Sequence, residues 1–148
     1  MTDNLTPTNR SLMMAKVRDR NTQPEIKVRR IAHALGLRFR LHRKELAGSP
    51  DLVFPKYRVA IFVHGCFWHQ HPGCSRATMP KSRTDFWSQK LARNVERDRR
   101  AISDLESRGW QVEVIWECET KKSNLLEERI RRIFSLKDIF SARRSVST

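Results

Sequence analysis

Fifteen residues, Ala60-Ile-Phe-Val-His-Gly-Cys-Phe-Trp-His-Gln-His-Pro-Gly-Cys74, hold three of the five histidines and two of the three cysteines of the chain. Thiolates and neutral imidazoles are ligands that zinc takes in structural sites. Cys66, His71, Cys74 and the distant Cys118 make a three-cysteine, one-histidine set, the composition of a closed structural zinc site. His69 fits the fourth place as well as His71 does, and spacing does not choose between them. Free cysteines are often simply buried, yet all three fall at loop positions or strand ends, where core thiols are less expected.

Asp51, after Ser49-Pro50, heads a hairpin whose second strand ends at His64, and the next loop supplies His69. Aspartates often precede strands because Pro-Asp favours turns. Here a carboxylate and two imidazoles converge at one end of a sheet. A carboxylate offers hard oxygen to Mg²⁺, and a neutral imidazole can take a proton from water. That is the minimum equipment for metal-assisted phosphodiester hydrolysis. Phe67 and Trp68, between the zinc-ligand candidates, and Trp87 further on can stack on or wedge between bases; packing around the metal is the ordinary alternative, and it competes most at Trp87. Lys90 and Asn94 lie one turn apart and either reach base edges or are plain solvated residues.

The elements that must carry these residues follow from periodicity. Residues 1–9 form a polar arm, Arg10 to Arg20 a short basic helix with Met13, Met14 and Val17 on one side, and Thr22-Gln-Pro-Glu25 a helix start. Thr22 caps, Pro24 is tolerated in the first turn, and Glu25 completes a capping box, which gives that acid a structural explanation. Val28, Ile31, Ala32 and Leu35 form the apolar face, and Gly36 ends the helix. Leu37 to Leu41 alternates as a half-buried strand, residues 42–50 form a loop, and residues 51–54 and 58–64 form the hairpin. The long loop 65–83 leads to a helix capped by Thr84, with Trp87, Leu91, Val95, Ile102 and Leu105 as its stripe. Asp98 falls in the same row, an expensive place for an acid without a partner. Trp110 to Trp116 reads as a central strand, and residues 124–140 as a last helix before a basic polar tail, 141–148. Strands bracketed by helices make an α/β domain over residues 10–140.

Composition points to the partner. The 148 residues carry 30 Lys and Arg against 16 Asp and Glu, a net charge of +14, which favours a polyanion. No apolar run approaches the roughly 20 residues of a membrane-spanning helix, so nucleic acid is preferred to a membrane. The N-terminal residues lack the charged and apolar regions of a secretory signal, giving a cytoplasmic expectation, where thiols serve as ligands more than as disulfides.

Four stretches, His64-Gly-Cys-Phe-Trp-His69, Pro50-Asp51, Asn94-Val-Glu-Arg-Asp-Arg-Arg100 and Gly109-Trp110 through Val114-Ile-Trp-Glu-Cys118, resemble the very short patch repair (Vsr) endonucleases, which nick DNA at thymine–guanine mismatches. The resemblance runs from about Asn9 to Ile139. It implies a restriction-endonuclease-like, PD-(D/E)XK-type fold, a mixed central sheet flanked by helices, with the usual Glu-x-Lys replaced and a structural zinc site. It implies that Asp51 and the main-chain carbonyl of Val63 bind Mg²⁺, and that His69 activates water with help from His64, Glu25 and Asp98. Zinc falls to Cys66, His71, Cys74 and Cys118. Phe67, Trp68 and Trp87 become intercalating aromatics, Met14 a minor-groove wedge, and Lys90 and Asn94 readers of the wobble pair. Val63 stands where some relatives have Thr, a change that spares a carbonyl ligand; the His71-to-Cys74 spacing is one residue longer than in some members. The expectation is a monomeric, Mg²⁺-dependent enzyme nicking the T strand of double-stranded DNA at T:G mismatches left by 5-methylcytosine deamination, with mismatch-repair proteins and a DNA polymerase as candidate partners. The competing expectations are a zinc-stapled DNA-binding module without catalysis and a restriction-like nuclease with another target.

Overall fold

Strand β3 (Val59–His64) is the centre of the sheet, with five of its six residues buried. The computed structural model describes the backbone of residues 21–146 and the side chains of residues 21–135; the arm expected over residues 1–9 and the basic helix expected over 10–20, with Met14, lie outside the described residues. In chain order the elements are α1 (Gln23–Ala34), β1 (Arg40–Leu41), β2 (Leu52–Phe54), β3, α2 (Thr84–Ser107), β4 (Gln111–Trp116), a 3₁₀ turn (Glu117–Thr120) and α3 (Ser123–Val146). The sheet order is β1-β2-β3-β4, with the first two pairings antiparallel and β3–β4 parallel. This is the mixed sheet with flanking helices expected of the sequence. Among the described residues no helix is long and apolar enough to cross a membrane.

Alternation along β3 assigns its two faces. Val59 and Ile61 pack with Val28 and Ala32 of α1 and with Leu126, Ile130 and Phe134 of α3. Ala60 and Phe62 face Ala101 and Leu105 of α2. Phe54 anchors the first layer with its ring edge on Phe134, centroids 4.8 Å apart. Burying each such side chain contributes about 1.5–3 kcal/mol. By the same alternation His64, two residues after Phe62, emerges on the α2 side.

Several local readings change. The strand expected over 37–41 shortens to Arg40–Leu41 because Leu37 is used to end α1: its N–H bonds to Ala32 O while the Gly36 N–H bonds to His33 O, with Gly36 at φ 84. That is a Schellman termination. The capping box at Thr22 closes only halfway. Thr22 Oγ1 accepts from Glu25 N–H at 3.3 Å, but the Glu25 carboxylate reaches back to Asn21 N–H. Thr84 does not cap α2, because Arg83 occupies the cap position in the left-handed region and Thr84 Oγ1 donates to Lys81 O.

The stripe of α2 also shifts. Val95 is 42% exposed, and the inward row runs Trp87, Leu91, Asn94, Asp98, Ala101, Leu105. Two steps of four residues drift about 80° around a helix, so Val95 turns out and Asn94 turns in. Leu125, at 50%, is likewise exposed. β4 is an outer strand among the described residues; its Glu113 pairs with Arg129 of α3 at 3.5 Å, which explains polar residues in an otherwise apolar run. The last helix continues to Val146, past the end expected near residue 140.

Gly48 pins the 42–50 loop against the sheet and α2. At φ 74, a Cβ there would stand 2.7 Å from Ala101 Cβ and 3.1 Å from the Phe62 ring. Gly48→Ala should therefore cost about 1–3 kcal/mol through backbone strain and overpacking, read as a lowered midpoint in denaturant unfolding.

Candidate active site and thiol cluster

The register of β3 against β4 pairs His64 with Trp116, so the chain leaves both strands side by side. After His64 it winds through tight turns, His69 N–H to Gly65 O, His71 N–H to Cys66 O and Cys74 N–H to His71 O, helped by positive φ at Gln70 and Gly73. After Trp116 it enters the 3₁₀ turn, held by Glu119 accepting from Trp116 N–H and by Lys27 donating to Thr120 O. These two returns bring Cys66, His71 and Cys74 to Cys118, with one ligand atom from each within 4.8 Å of the others. His71 Nδ1 lies 3.7 Å from Cys66 Sγ and 3.5 Å from Cys118 Sγ. The choice left open by spacing is thus made by placement: His71 sits with the thiols and His69 does not.

Three sulfurs and one imidazole suit a soft or borderline cation. Burial pushes the Cys66 thiol up to about 12, with the Cys118 and Cys74 thiols adding to the rise. A bound cation would reverse that, since a coordinating thiol is deprotonated. The cluster is therefore a site that could hold a metal ion.

His69 turns the other way. Its Nδ1 donates to Asp98 Oδ2 at 2.5 Å, and its ring stacks on His64 with centroids 3.8 Å apart and planes 6° from parallel. Asp98, the acid in the inward row of α2, thereby has its partner. Burial pulls the His64 imidazole down to about 4, the neighbouring His69 adding and Asp98 opposing; His64 is neutral at pH 7. Trp116 joins the two groups, stacked on His71 at 4.2 Å and edge-on to His64 at 5.3 Å.

A third group lies across the same cavity of about 700 Å³, which Glu25, His42, Asp51, His64, His69 and Asp98 all line. Asp51 Oδ2 accepts from Val63 N–H at 2.7 Å, tying the carboxylate to the residue before His64. Glu25, only 1% exposed, collects on its Oε2 the Asn21 N–H, the Arg29 guanidinium and His42 Nε2. Burial pushes the Asp51 carboxyl up to about 8; the Val63 N–H works against the rise, Glu25 adds to it and Arg29 opposes it. The convergence expected of Asp51, His64 and His69 is observed, divided into an acidic half around Asp51 and an imidazole half around His69. Glu25 belongs to the cavity, beyond its role in starting α1. Two carboxylates side by side, one buried and one partly buried, fit a hard divalent cation.

His42 is the site residue the sequence reading missed. Hairpin arithmetic could have found it: Leu41 pairs with Leu52, so His42 must face Asp51. Beside the cavity, Phe67, Trp68, Phe86 and Trp87 form an aromatic cluster with ring separations of 5.1 to 5.9 Å. Phe67 and Trp68 are half-buried, whereas Trp87 is 7% exposed. Lys90 lies over the Trp68 ring at 5.6 Å, and Asn94 donates to Trp68 O at 3.2 Å.

The mixed sheet with its flanking helices has a counterpart among solved structures. The chain is similar to the catalytic domain of homing endonuclease I-Bth0305I, with a TM-score of 0.54 at 21% identity over 78% of this chain and 97% of that one. The family model for DNA mismatch endonuclease Vsr matches residues 2–76. Among relatives, the type II nicking enzyme V.XorIIP of Xanthomonas oryzae pv. oryzae is 51% identical, over 90% of this chain and 97% of its own. DNA mismatch endonuclease Vsr of Escherichia coli is 42% identical over 82% of this chain and 78% of its own. The chain belongs to the Vsr family of DNA mismatch endonucleases. It is a DNA endonuclease, which sets aside the reading as a binding module without catalysis.

The raised Asp51 carboxyl has a consequence for stability. It titrates near 8 in the fold against an ordinary 3.8, so the folded chain keeps a proton that the unfolded chain releases across that window. The stability this group contributes is full below the lower value and is lost as pH rises through the upper one. Asp51→Asn keeps an oxygen for the Val63 N–H and removes the charge. With no added divalent cation it should raise the melting temperature at about pH 8 and give a shrinking gain towards about pH 5.

Proposed function

We propose that the enzyme nicks the thymine strand of duplex DNA at T:G mismatches, in a reaction that depends on Mg²⁺ at Asp51 and on a zinc-held loop. The observation that carries this reading is the single cavity in which the Asp51 carboxylate faces the His69–Asp98 pair. The +14 charge supports a phosphodiester substrate, and the family supports a mismatch.

Asp98 fixes the His69 tautomer: with Nδ1–H donated to the carboxylate, Nε2 keeps its lone pair and can accept a proton from water. His64, neutral and stacked beneath, holds the ring plane without adding charge that would oppose the proton. Water attacks phosphorus in line, a new P–O bond forms, and the P–O3′ bond breaks, leaving a 5′-phosphate and a 3′-hydroxyl. Mg²⁺, held by Asp51 and the Val63 carbonyl, would neutralise charge gathering on the phosphate oxygens. Because the N–H and C=O of a strand residue project to the same edge, the Val63 N–H bond to Asp51 supports a carbonyl facing that carboxylate. Glu25 assists on the acidic side.

Cys66, His71, Cys74 and Cys118 would hold zinc, the metal suited to three thiolates and an imidazole. Phe67 and Trp68, half-exposed above Trp87, would enter the base stack beside the mismatch, where a wobble pair stacks less well and prying the step open costs less. Lys90 and Asn94, one on the Trp68 ring and the other on its carbonyl, stand where they can read the pair once Trp68 moves. Met14 would act from the minor-groove side, in a protein that works as a monomer in the cytoplasm and hands its nick to mismatch-repair and polymerase partners.

The test is incubation with Mg²⁺ and duplexes that differ only in T:G versus T:A. Nicking confined to the T strand of the T:G duplex is expected, and equal or absent nicking of both would sink the reading. Asp51→Ala should abolish cleavage, a loss of at least about 10³-fold if the metal site carries the chemistry, while gel-shift binding to the T:G duplex persists.

A further inference from the structure

His42 stands between two carboxylates of the cavity, the buried Glu25 and the partly buried Asp51. Its Nε2 is 3.0 Å from Glu25 Oε2 and 3.8 Å from Asp51 Oδ1. These acids come from different elements, Glu25 from the first turn of α1 and Asp51 from the head of β2. A proton on Asp51 lets the two acids lie together, and once both are charged, as metal binding requires, a donor facing both is what limits their repulsion. Arg29 reaches Glu25 at 2.5 Å, bonds Asn21 Oδ1 and lies 3.5 Å from His42 Nε2, so it ties Glu25 to its own helix start beside the same ring. His42 alone is within ion-pairing distance of both acids among the described residues.

The backbone at His42 is adapted to this task. Its φ is 46°, in the left-handed region that a non-glycine residue occupies only at a cost in strain. Its N–H donates to Asp51 O at 3.3 Å, which continues the β1–β2 pairing one residue past the strand. The main chain of His42 is thus registered on Asp51 while its ring is directed at Glu25. A ring nitrogen facing carboxylate oxygens acts as a donor.

We propose that His42 is a positioning residue for the divalent cation: through Nε2 it bridges Glu25 and Asp51 and presets their separation before metal or DNA arrives. This rests on the reading of Asp51 as the cation's ligand. Residues that orient metal ligands from the next layer out typically change metal affinity by about 10–100-fold when removed.

The experiment measures Mn²⁺ binding to the full-length, zinc-loaded protein without DNA, by electron paramagnetic resonance, alongside nicking of a T:G duplex at graded Mg²⁺. Wild type should show one Mn²⁺ site that Asp51→Ala removes; its absence would overturn the cation reading of Asp51 itself. With that site present, His42→Ala should weaken Mn²⁺ binding about 10-fold or more. The Mg²⁺ needed for half-maximal nicking should rise by a similar factor, while kcat at saturating Mg²⁺ and the KM for DNA change little. His42→Gln, whose amide N–H can reach the same oxygens, should recover most of the affinity. Unchanged Mn²⁺ affinity in His42→Ala overturns the proposal, because a merely structural residue would lower the folded fraction and not the affinity of what remains. Weakened binding that Gln fails to restore also overturns it, by making the ring nitrogen a ligand and not a donor.

Discussion

The parallel pairing of β3 with β4 is the constraint on which the rest depends. Its last rung sets His64 opposite Trp116, so the segments that follow the two strands leave from the same edge and must fold over each other. One contributes Cys66, His71 and Cys74 and the other Cys118, which is how a side chain 44 residues beyond Cys74 joins that cluster. The same rung starts a stack of rings in which Trp116 touches both His71 and His64, and His64 touches His69. A shift of one residue in this register would turn every β3 side chain to the opposite face. It would take His64 from the α2 side to the side of α1 and α3.

The site is built of two halves with opposite electrostatic needs. Around Asp51, burial and a second carboxylate disfavour negative charge, a tension that a cation relieves. Around His69, burial keeps His64 neutral and leaves Asp98 to orient the ring. Asp51 and His69 line one cavity and are set there by adjacent residues of β3, Val63 bonded to Asp51 and His64 stacked on His69. The surrounding positive charge, with Lys44, Lys90 and Arg97 at the cavity, draws a phosphate backbone towards both.

Much of this was legible in the sequence where local periodicity or spacing carries the signal. The hairpin around Pro55-Lys-Tyr57, the long loop, the α/β layering and the thiol set all follow from patterns a few residues long. What was hidden depended on tertiary context. Val95 and Asn94 exchanged faces because a row of four-residue steps drifts around a helix, and only packing against the sheet decides where the row lies. β4 looked central because it is apolar, although its one acid, Glu113, is paired by Arg129 from α3. Glu25 had a sufficient local explanation at the start of α1, and only the family resemblance, not its own spacing, pointed to the cavity where it lies beside Asp51. His42 carried no motif, since its role comes from strand register and from a left-handed backbone that composition does not show.

By closing the junction after β3 and β4, the thiol cluster would hold the loop that carries His69. Hydrogen exchange on zinc-loaded and verified zinc-free protein, with nicking measured on the same samples, tests it most directly. Metal removal should strip protection from residues 65–83 and 117–120, leave β2 and β3 protected, and take nicking with it. A zinc-free protein that keeps its loop protected, or that nicks at the rate of the loaded enzyme, would contradict it.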